Sequence, residues 1–442
     1  MTKRTDPRFR LPAVRAPRNL RGMKGLLEEL TWRGLVEDQT PGLSDRLAQG
    51  PITGYVGFDP TATSLQIGNL IPVMLLAHLQ RAGGKPLVVL GGGTGLIGDP
   101  SGKRVERPLL DEAVVADNVE RQRQQFARFL DFDTGSQQAE VVDNAEWLTS
   151  LNFVEFLRTV GKHFTLSYML QKESVKSRLD EGISYTEFSY MLLQSYDFLQ
   201  LYRTRGCELQ LGGSDQWGNI TAGRELIRRV EGIEVHGLCA PLLTTASGGK
   251  FGKTEEGTLW LDPTQTSPYR FYQYWVNVDD RDVRKHLGAF TFLPQGDITS
   301  LMTQHDSSPG DRIPHRALAA EITARVHGDD ATERVVQASQ ILFGELDPRA
   351  ASGDTWRMLA RELPTSSIDL DSPKAAVELA TAAGLCKSKG EARRLLTQRG
   401  IHLNGAPLSE DATIGTEDLL DGGFLWLRRG KKTDALLLTA SL

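Results

Sequence analysis

Two lysines, Lys250 and Lys253, stand in the run Lys-Phe-Gly-Lys-Thr, just after Ser247-Gly248-Gly249. Two ammonium groups on a glycine-rich loop are equipped to move over a polyphosphate. Far upstream, residues 54–70 read GYVGFDPTATSLQIGNL. A strand over residues 52–58 ends at Asp59-Pro60, the hydroxyl residues Thr61, Thr63 and Ser64 follow, and a helix begins at Leu65. A strand that turns into a helix presents unpaired N–H groups and a positive dipole end, which together suit phosphate. Gly68 has no side chain, so a flat ring can lie against its backbone. A third set falls on one helix face: Tyr190, Gln194 and Asp197 at i, i+4 and i+7. They are either satisfied polar core or a receptor for a hydroxyl and an ammonium, because a buried carboxylate is costly unless something pairs with it. Asp215 follows a strand at 207–211 and Gly212-Gly213-Ser214. It suits either a helix cap or the acceptor of ribose hydroxyls.

These stretches resemble a known family. DPTATSLQIGNL is similar to the HIGH motif of class I aminoacyl-tRNA synthetases, and KFGKT is similar to their KMSKS motif. Gln66 and Asn69 stand where HIGH has its two histidines. GLIGDPSGKRVER (95–107), YTEFSYMLLQSYDFLQL (185–201) and LGGSDQWGNITAG (211–223) narrow the resemblance to bacterial-type tyrosyl-tRNA synthetases, from about residue 38 to the C-terminus. The resemblance implies ATP-dependent activation of L-tyrosine and its transfer to tRNA(Tyr), with ATP and Mg2+ as substrate. It assigns catalysis to Gln66, Asn69, Lys103, Arg107, Lys250, Lys253 and Thr254. Tyrosine falls to Tyr55, Asp99, Tyr190, Gln194, Asp197 and Gln216. ATP falls to Gly57, Asp59, Gly68, Gly213, Asp215 and Lys253. A tryptophanyl-type enzyme would share the fold and motifs but has no use for Tyr55 and Asp197 as hydroxyl partners. A chain that had lost catalysis and kept only RNA binding would not need KFGKT, Asp215 and the Tyr190/Gln194/Asp197 face.

The composition agrees with an enzyme that works in a reducing compartment. The 442 residues allow two to four domains. Hydrophobic residues make up 40%, with no apolar run long enough to span a membrane. The N-terminus lacks the apolar stretch of a secretory signal, so the expected place is the cytoplasm. Cys207, Cys239 and Cys386 are far apart, which favours neither a disulfide framework nor a structural metal. With a net charge of −5, RNA contact must come from local basic patches.

The elements that must position these residues alternate strand and helix, which gives a parallel sheet. Residues 1–35 form a basic, proline-broken tail and a leading helix, the tail disordered or in supporting contact with RNA. Residues 36–245 form the Rossmann-like catalytic domain. There the apolar strand 86–90 runs into Gly91-Gly92-Gly93-Thr94-Gly95, at the strand end where open α/β sheets bind ligands. Within it, helices are expected at 112–130, 147–160 and 164–170, and a short strand at 139–142. The resemblance makes 112–184 a helical insertion and the interface of a homodimer. Residues 246–345 hold KFGKT and an α-helical domain. Pro, Ser and Asp make 346–372 read as a linker. Residues 373–442 resemble a small α+β S4-like RNA-binding domain. Asn404-Gly405 reads as a tight turn, and Lys387, Lys389, Arg393, Arg394 and Arg399 either line one face toward phosphates or form a solvated helix face. Arg428, Arg429, Lys431 and Lys432 offer a second patch.

Overall fold

The computed structural model describes residues 22–101, 110–176, 182–246, 248–249, 251–254, 257–430 and 433–439. The side chains of Glu173, Ser174, Lys253 and Thr254 are outside that description. The basic tail up to Arg21, Lys103, Arg107, Lys250, Lys431 and Lys432 therefore lie outside the described residues. The chain divides into two compact units, Met1–Ser267 with Tyr274–Val326, and Pro268–Gln273 with His327–Leu442. Among the described residues no helix is long and apolar enough to cross a membrane.

The first unit is built on a six-stranded sheet. Its strands are β1 (Asp38–Gln39), β2 (Thr53–Phe58), β3 (Lys85–Leu90), β4 (Glu140–Asp143), β5 (Cys207–Gly213) and β6 (His236–Ala240). Their order is β1-β6-β5-β2-β3-β4. All pairings are parallel except the short edge strand β1 against β6. The chain winds outward from β2 through β3 to β4, then returns beside β2 as β5. The strand order thus reverses between β2 and β5, and the crevice at their carboxyl ends is where such sheets hold ligands. β3 is apolar and buried almost throughout, as a strand covered on both faces must be.

Two helices carry the residues of interest to that crevice. Leu70–Arg81 starts directly after a tight turn, Ile67–Asn69, and buries Leu70, Val73, Leu76 and Leu79. Full burial of each such side chain is worth about 1.5–3 kcal/mol, which fixes the helix start against the sheet. Tyr185–Arg205 is capped by Ser184, whose Oγ accepts from Glu187 N at 3.2 Å, and it stops at Gly206 in the left-handed region.

The expected insertion helix over 147–160 is two helices, Ala145–Leu148 and Phe153–Thr159. The break has a local cause: Asn152 Oδ1 accepts from Val154 N and Glu155 N, each at 3.1 Å, and so caps a new helix.

The second unit has a five-stranded sheet, ordered Ala406–Pro407, Ile401–Leu403, Phe424–Arg429, Thr433–Thr439 and Thr365–Ile368. Asn404 and Gly405 both have positive φ, as a tight turn between antiparallel strands requires.

Residues 346–372 are not a linker. Helix Gly353–Leu359 buries Trp356 completely beside Phe424, Trp426 and Leu436, and strand Thr365–Ile368 pairs in parallel with Leu436–Thr439. Composition pointed the other way. The burial of one tryptophan and a pairing some seventy residues away override it.

In the second basic patch Arg428 Nε donates to Asp434 Oδ1 at 2.7 Å and Arg429 Nη1 donates to Leu385 O at 2.8 Å, so both also serve the fold.

Candidate active site

A cleft of about 500 Å³ opens at the carboxyl ends of β2 and β5. It is lined by Tyr55, Gly57, Asp59, Gln66, Gly68 and Asn69 from the β2 side, and by Gly213, Asp215 and Gln216 from the β5 side. Tyr190, Gln194 and Asp197 enter from the long helix, and Asp99 and Ser101 from the loop after β3. Every described residue assigned to tyrosine or ATP whose side chain is described therefore reaches one cleft. A Cβ added at Gly57 or Gly68 would meet no described atom within 4 Å, so among the described residues the space above both is open.

One end of the cleft is buried. Asp197 is 3% exposed, and two donors hold it: Asn144 Nδ2 at 2.9 Å and Trp147 Nε1 at 2.8 Å. Burial pushes its carboxyl up to about 7 against the pull of those two hydrogen bonds. Beside it, the Tyr55 hydroxyl is buried and has no hydrogen-bond partner among the described residues. Burial, and then the charge of Asp197, raise the Tyr55 phenol well above its ordinary value. An unpaired buried hydroxyl costs free energy that an incoming polar group can recover.

Further out, the polar side chains form a continuous chain of hydrogen bonds. Tyr190 Oη donates to Asp59 Oδ2 at 3.0 Å, and Thr94 Oγ1 donates to Asp59 Oδ1 at 3.0 Å. Asn144 Nδ2 reaches Thr94 Oγ1 at 3.0 Å, which joins Asp59 to Asp197. On the other wall Gln216 Nε2 donates to Asp99 Oδ2 at 2.6 Å, and Gln194 Nε2 donates to Gln216 Oε1 at 3.2 Å. Asn219 Nδ2 donates to Gln194 Oε1 at 2.9 Å. Carboxylates and amide oxygens dominate this wall, so it suits a cation with several donors. Burial, then the charge of Asp99, raise the Asp215 carboxyl.

The two signature stretches meet through the backbone. Ile67 N donates to Leu259 O at 3.1 Å, Leu261 N to Leu65 O at 2.9 Å, and Leu259 N to Gly252 O at 3.2 Å. Gln66 and Trp260 are antiparallel partners in this short ladder. Gly252 has φ +82°, and a Cβ there would lie 2.8 Å from Ile67 Cγ1, so only glycine fits. Lys253 and Thr254 follow in a two-residue strand paired with Gly257–Thr258. Gln66 is exposed at the mouth of the cleft. Asn69 Oδ1 accepts from Gln66 N at 3.0 Å, which caps the helix start and leaves the Asn69 amide N–H groups for other use.

Sequence reasoning missed Asn144, Trp147, Thr94 and Asn219. The signal available was position alone: Asn144 and Thr94 each follow a strand end. In the second unit Lys387, Lys389, Arg393, Arg394 and Arg399 are all exposed, with Arg393 Nε 3.9 Å from Glu410.

Residues 47–344 match the family described as tRNA synthetases class I (W and Y). Residues 356–437 match the Tyrosine--tRNA ligase SYY-like C-terminal domain. A Tyrosine--tRNA ligase of Anaeromyxobacter dehalogenans is 56% identical over 418 residues, covering 94% of this chain and 99% of its own. One from Bacteroides fragilis is 48% identical over 425 residues, covering 93% and 99%. Among solved structures, a C-terminally truncated mitochondrial tyrosyl-tRNA synthetase from Aspergillus nidulans has a TM-score of 0.66 at 29% identity, covering 72% of this chain and 94% of that one.

Proposed function

The chain belongs to the class I tRNA synthetases of the tryptophan and tyrosine group, and from that premise we propose how its residues divide the work. The enzyme activates L-tyrosine with ATP to tyrosyl-adenylate and transfers the tyrosyl group to tRNA. A tyrosine carboxylate oxygen attacks the α-phosphorus and pyrophosphate leaves. The terminal ribose of the tRNA then attacks the adenylate carbonyl and AMP leaves. No covalent bond to the protein is needed, so the catalytic work is positioning and charge stabilisation.

The observation that carries the residue assignment is the buried end of the cleft. Tyr55 Oη lacks a partner there among the described residues, beside an Asp197 carboxyl held from behind by Asn144 and Trp147. A phenol hydroxyl donates to Asp197 and accepts from Tyr55, completing both. The ammonium of tyrosine takes the acceptor-rich wall of Gln194, Asp99 and Gln216, with Tyr190 contributing from the facing wall. Gly57, Gly68, Gly213, Asp59 and Asp215 serve the nucleotide. Gln66 and Asn69 donate amide N–H bonds to the phosphates. Lys250, Lys253 and Thr254, with Lys103 and Arg107, stabilise the departing pyrophosphate. Mg2+ enters with ATP and offsets phosphate charge.

We also propose a homodimer formed through the insertion, working in the cytoplasm. Its support is apolar side chains left in water: Phe153 is 64% exposed, Val154 72% and Leu166 68%. Sedimentation should give twice the chain mass. The C-terminal unit, with its exposed Lys387, Lys389, Arg393, Arg394 and Arg399, holds the tRNA. The domain division we propose keeps a catalytic region through about residue 245, with 112–184 as the insertion.

Amino-acid-dependent ATP–pyrophosphate exchange tests the whole reading. Tyrosine should support it, and tryptophan should not. Exchange with tryptophan, or with neither, overturns the assignment of the buried end.

A further inference from the structure

Between the two lysines of the KFGKT loop stands a phenylalanine that the chemistry does not use. Phe251 is only 8% exposed, although it belongs to a glycine-rich loop. Its ring stacks on Phe290 at 5.4 Å and 10°. His286 lies 5.2 Å away, Trp275 5.8 Å and Tyr274 6.3 Å, closing an aromatic cage. Gly252, just after it, and Ala246, at the loop's entry, are held as well. The Tyr274 hydroxyl takes a backbone hydrogen bond from Gly252. Asp282 Oδ2 accepts from Ala246 N at 2.7 Å, at the loop's entry. Tyr274 and Trp275 end one helix, and Asp282, His286 and Phe290 lie on the next, Asp280–Phe290. That second helix is itself clamped: buried Arg33 donates to Gly288 O at 2.9 Å, Thr291 O at 2.7 Å and Leu293 O at 3.0 Å.

We propose that Phe251, seated in the cage of Tyr274, Trp275, His286 and Phe290, is a positioning residue for adenylate formation. It sets the height of the KFGKT backbone over the cleft. The inference rests on the reading that this loop stabilises the pyrophosphate. Its physical basis is preorganisation. Donors help most when they need no reordering as charge develops, and a glycine loop has much conformational freedom to lose. One aromatic ring placed between two ammonium-bearing residues, and driven into an apolar cage, removes that freedom for both. The pressed contact of Gly252 with Ile67 then sets the loop's distance from the start of the phosphate-facing helix.

The test compares the full-length parent with Phe251→Ala, Phe251→Tyr and Tyr274→Phe. Single-turnover adenylate formation at saturating tyrosine and varied ATP is expected to slow about 10- to 100-fold in Phe251→Ala, with the tyrosine Kd unchanged. Phe251→Tyr keeps a ring in the cage and should recover most of the rate. Trypsin cleavage after Lys250 or Lys253 should quicken in Phe251→Ala, because the loop has left its seat. A parent rate in Phe251→Ala overturns the proposal, as does unchanged cleavage. If Phe251→Ala does not fold, Tyr274→Phe decides: it should slow the step about 3- to 10-fold, and a parent rate there is equally fatal. A parent that shows no tyrosine-dependent exchange would instead sink the functional reading, while the cleavage comparison would still report on the seat.

Discussion

A buried carboxyl with two side-chain donors behind it and open lone pairs in front makes a receptor for a hydroxyl. Asp197 has this form, and its titration is a handle on the site. Burial raises its pKa to about 7 in the folded protein, against an ordinary value when unfolded. A folded-state pKa raised in this way stabilises the protein below the unfolded value, and that contribution is lost as pH climbs through about 7. Bound tyrosine opposes the trend, because a donated phenol hydroxyl favours the ionised form. Tyrosine should therefore bind more tightly at pH 8 than at pH 6, by up to about tenfold, and Asp197→Asn should flatten the profile. Equilibrium dialysis across that range checks it; a parent Kd that ignores pH would remove Asp197 from phenol recognition. Tyr55 gives the companion result. A site built to bind a hydroxyl rejects the analogue lacking it, because its own polar groups stay unpaired; tyrosine against phenylalanine in this enzyme family is the standard illustration. Tyr55→Phe should narrow the ratio of kcat/KM between the two amino acids in exchange kinetics. An unchanged ratio would mean that Tyr55 Oη is simply an orphan of the core.

At the scale of elements, the turn before helix Leu70–Arg81 carries the change from histidine to amide. Asn69 has two roles there, since its carbonyl caps the helix start while its N–H groups stay available. Asn69→Ala should cost both stability, by about 0.5–2 kcal/mol, and rate. Gln66 side-chain groups make no such cap. Gln66→Ala should thus slow adenylate formation about 10- to 100-fold, the loss of one charge-assisted hydrogen bond, while tyrosine affinity and melting temperature hold. Pre-steady-state quenching and a thermal melt separate the two residues. A Gln66→Ala enzyme at the parent rate would leave the phosphates to the lysines and Asn69. Much of this element was legible from local pattern: strand to Phe58, a turn with hydroxyls, then an apolar helix. The face Tyr190/Gln194/Asp197 was legible because a helix repeats every 3.6 residues. What local pattern could not show is pairing between distant segments. The ladder of residues 65–67 with 259–261 joins two short irregular pieces, and nothing in either marks the other. Asn144 and Trp147 were invisible for a similar reason. Their sequence looks like any capped helix start, and only the tertiary approach of the long helix brings Asp197 to them.

At the scale of the whole molecule, the misread linker changes where the chain can be cut. Composition put the boundary near Asp371, after a disposable stretch. In the structure that cut would strip Trp356 and Leu359 of Phe424, Trp426 and Leu436, and would leave strand Thr365–Ile368 without its partner. Exposing two such side chains forfeits about 3–6 kcal/mol of burial, enough to unfold a marginal piece. A chain ending at Val326 instead removes the second unit as a body, apart from Pro268–Gln273. Two truncations therefore carry opposite expectations. The chain ending at Asp371 should be protease-sensitive between residues 353 and 371 and prone to associate. The chain ending at Val326 should melt cooperatively and keep tyrosine-dependent exchange near the parent rate. Both should charge tRNA poorly, because Lys387, Lys389, Arg393, Arg394 and Arg399, which we propose face the tRNA phosphates, have gone. Exchange, charging and limited proteolysis on the two chains measure all of this. Loss of exchange in a well-folded chain ending at Val326 would mean that adenylate formation itself depends on the C-terminal unit. The division between activating tyrosine in one unit and holding tRNA in the other would then fail.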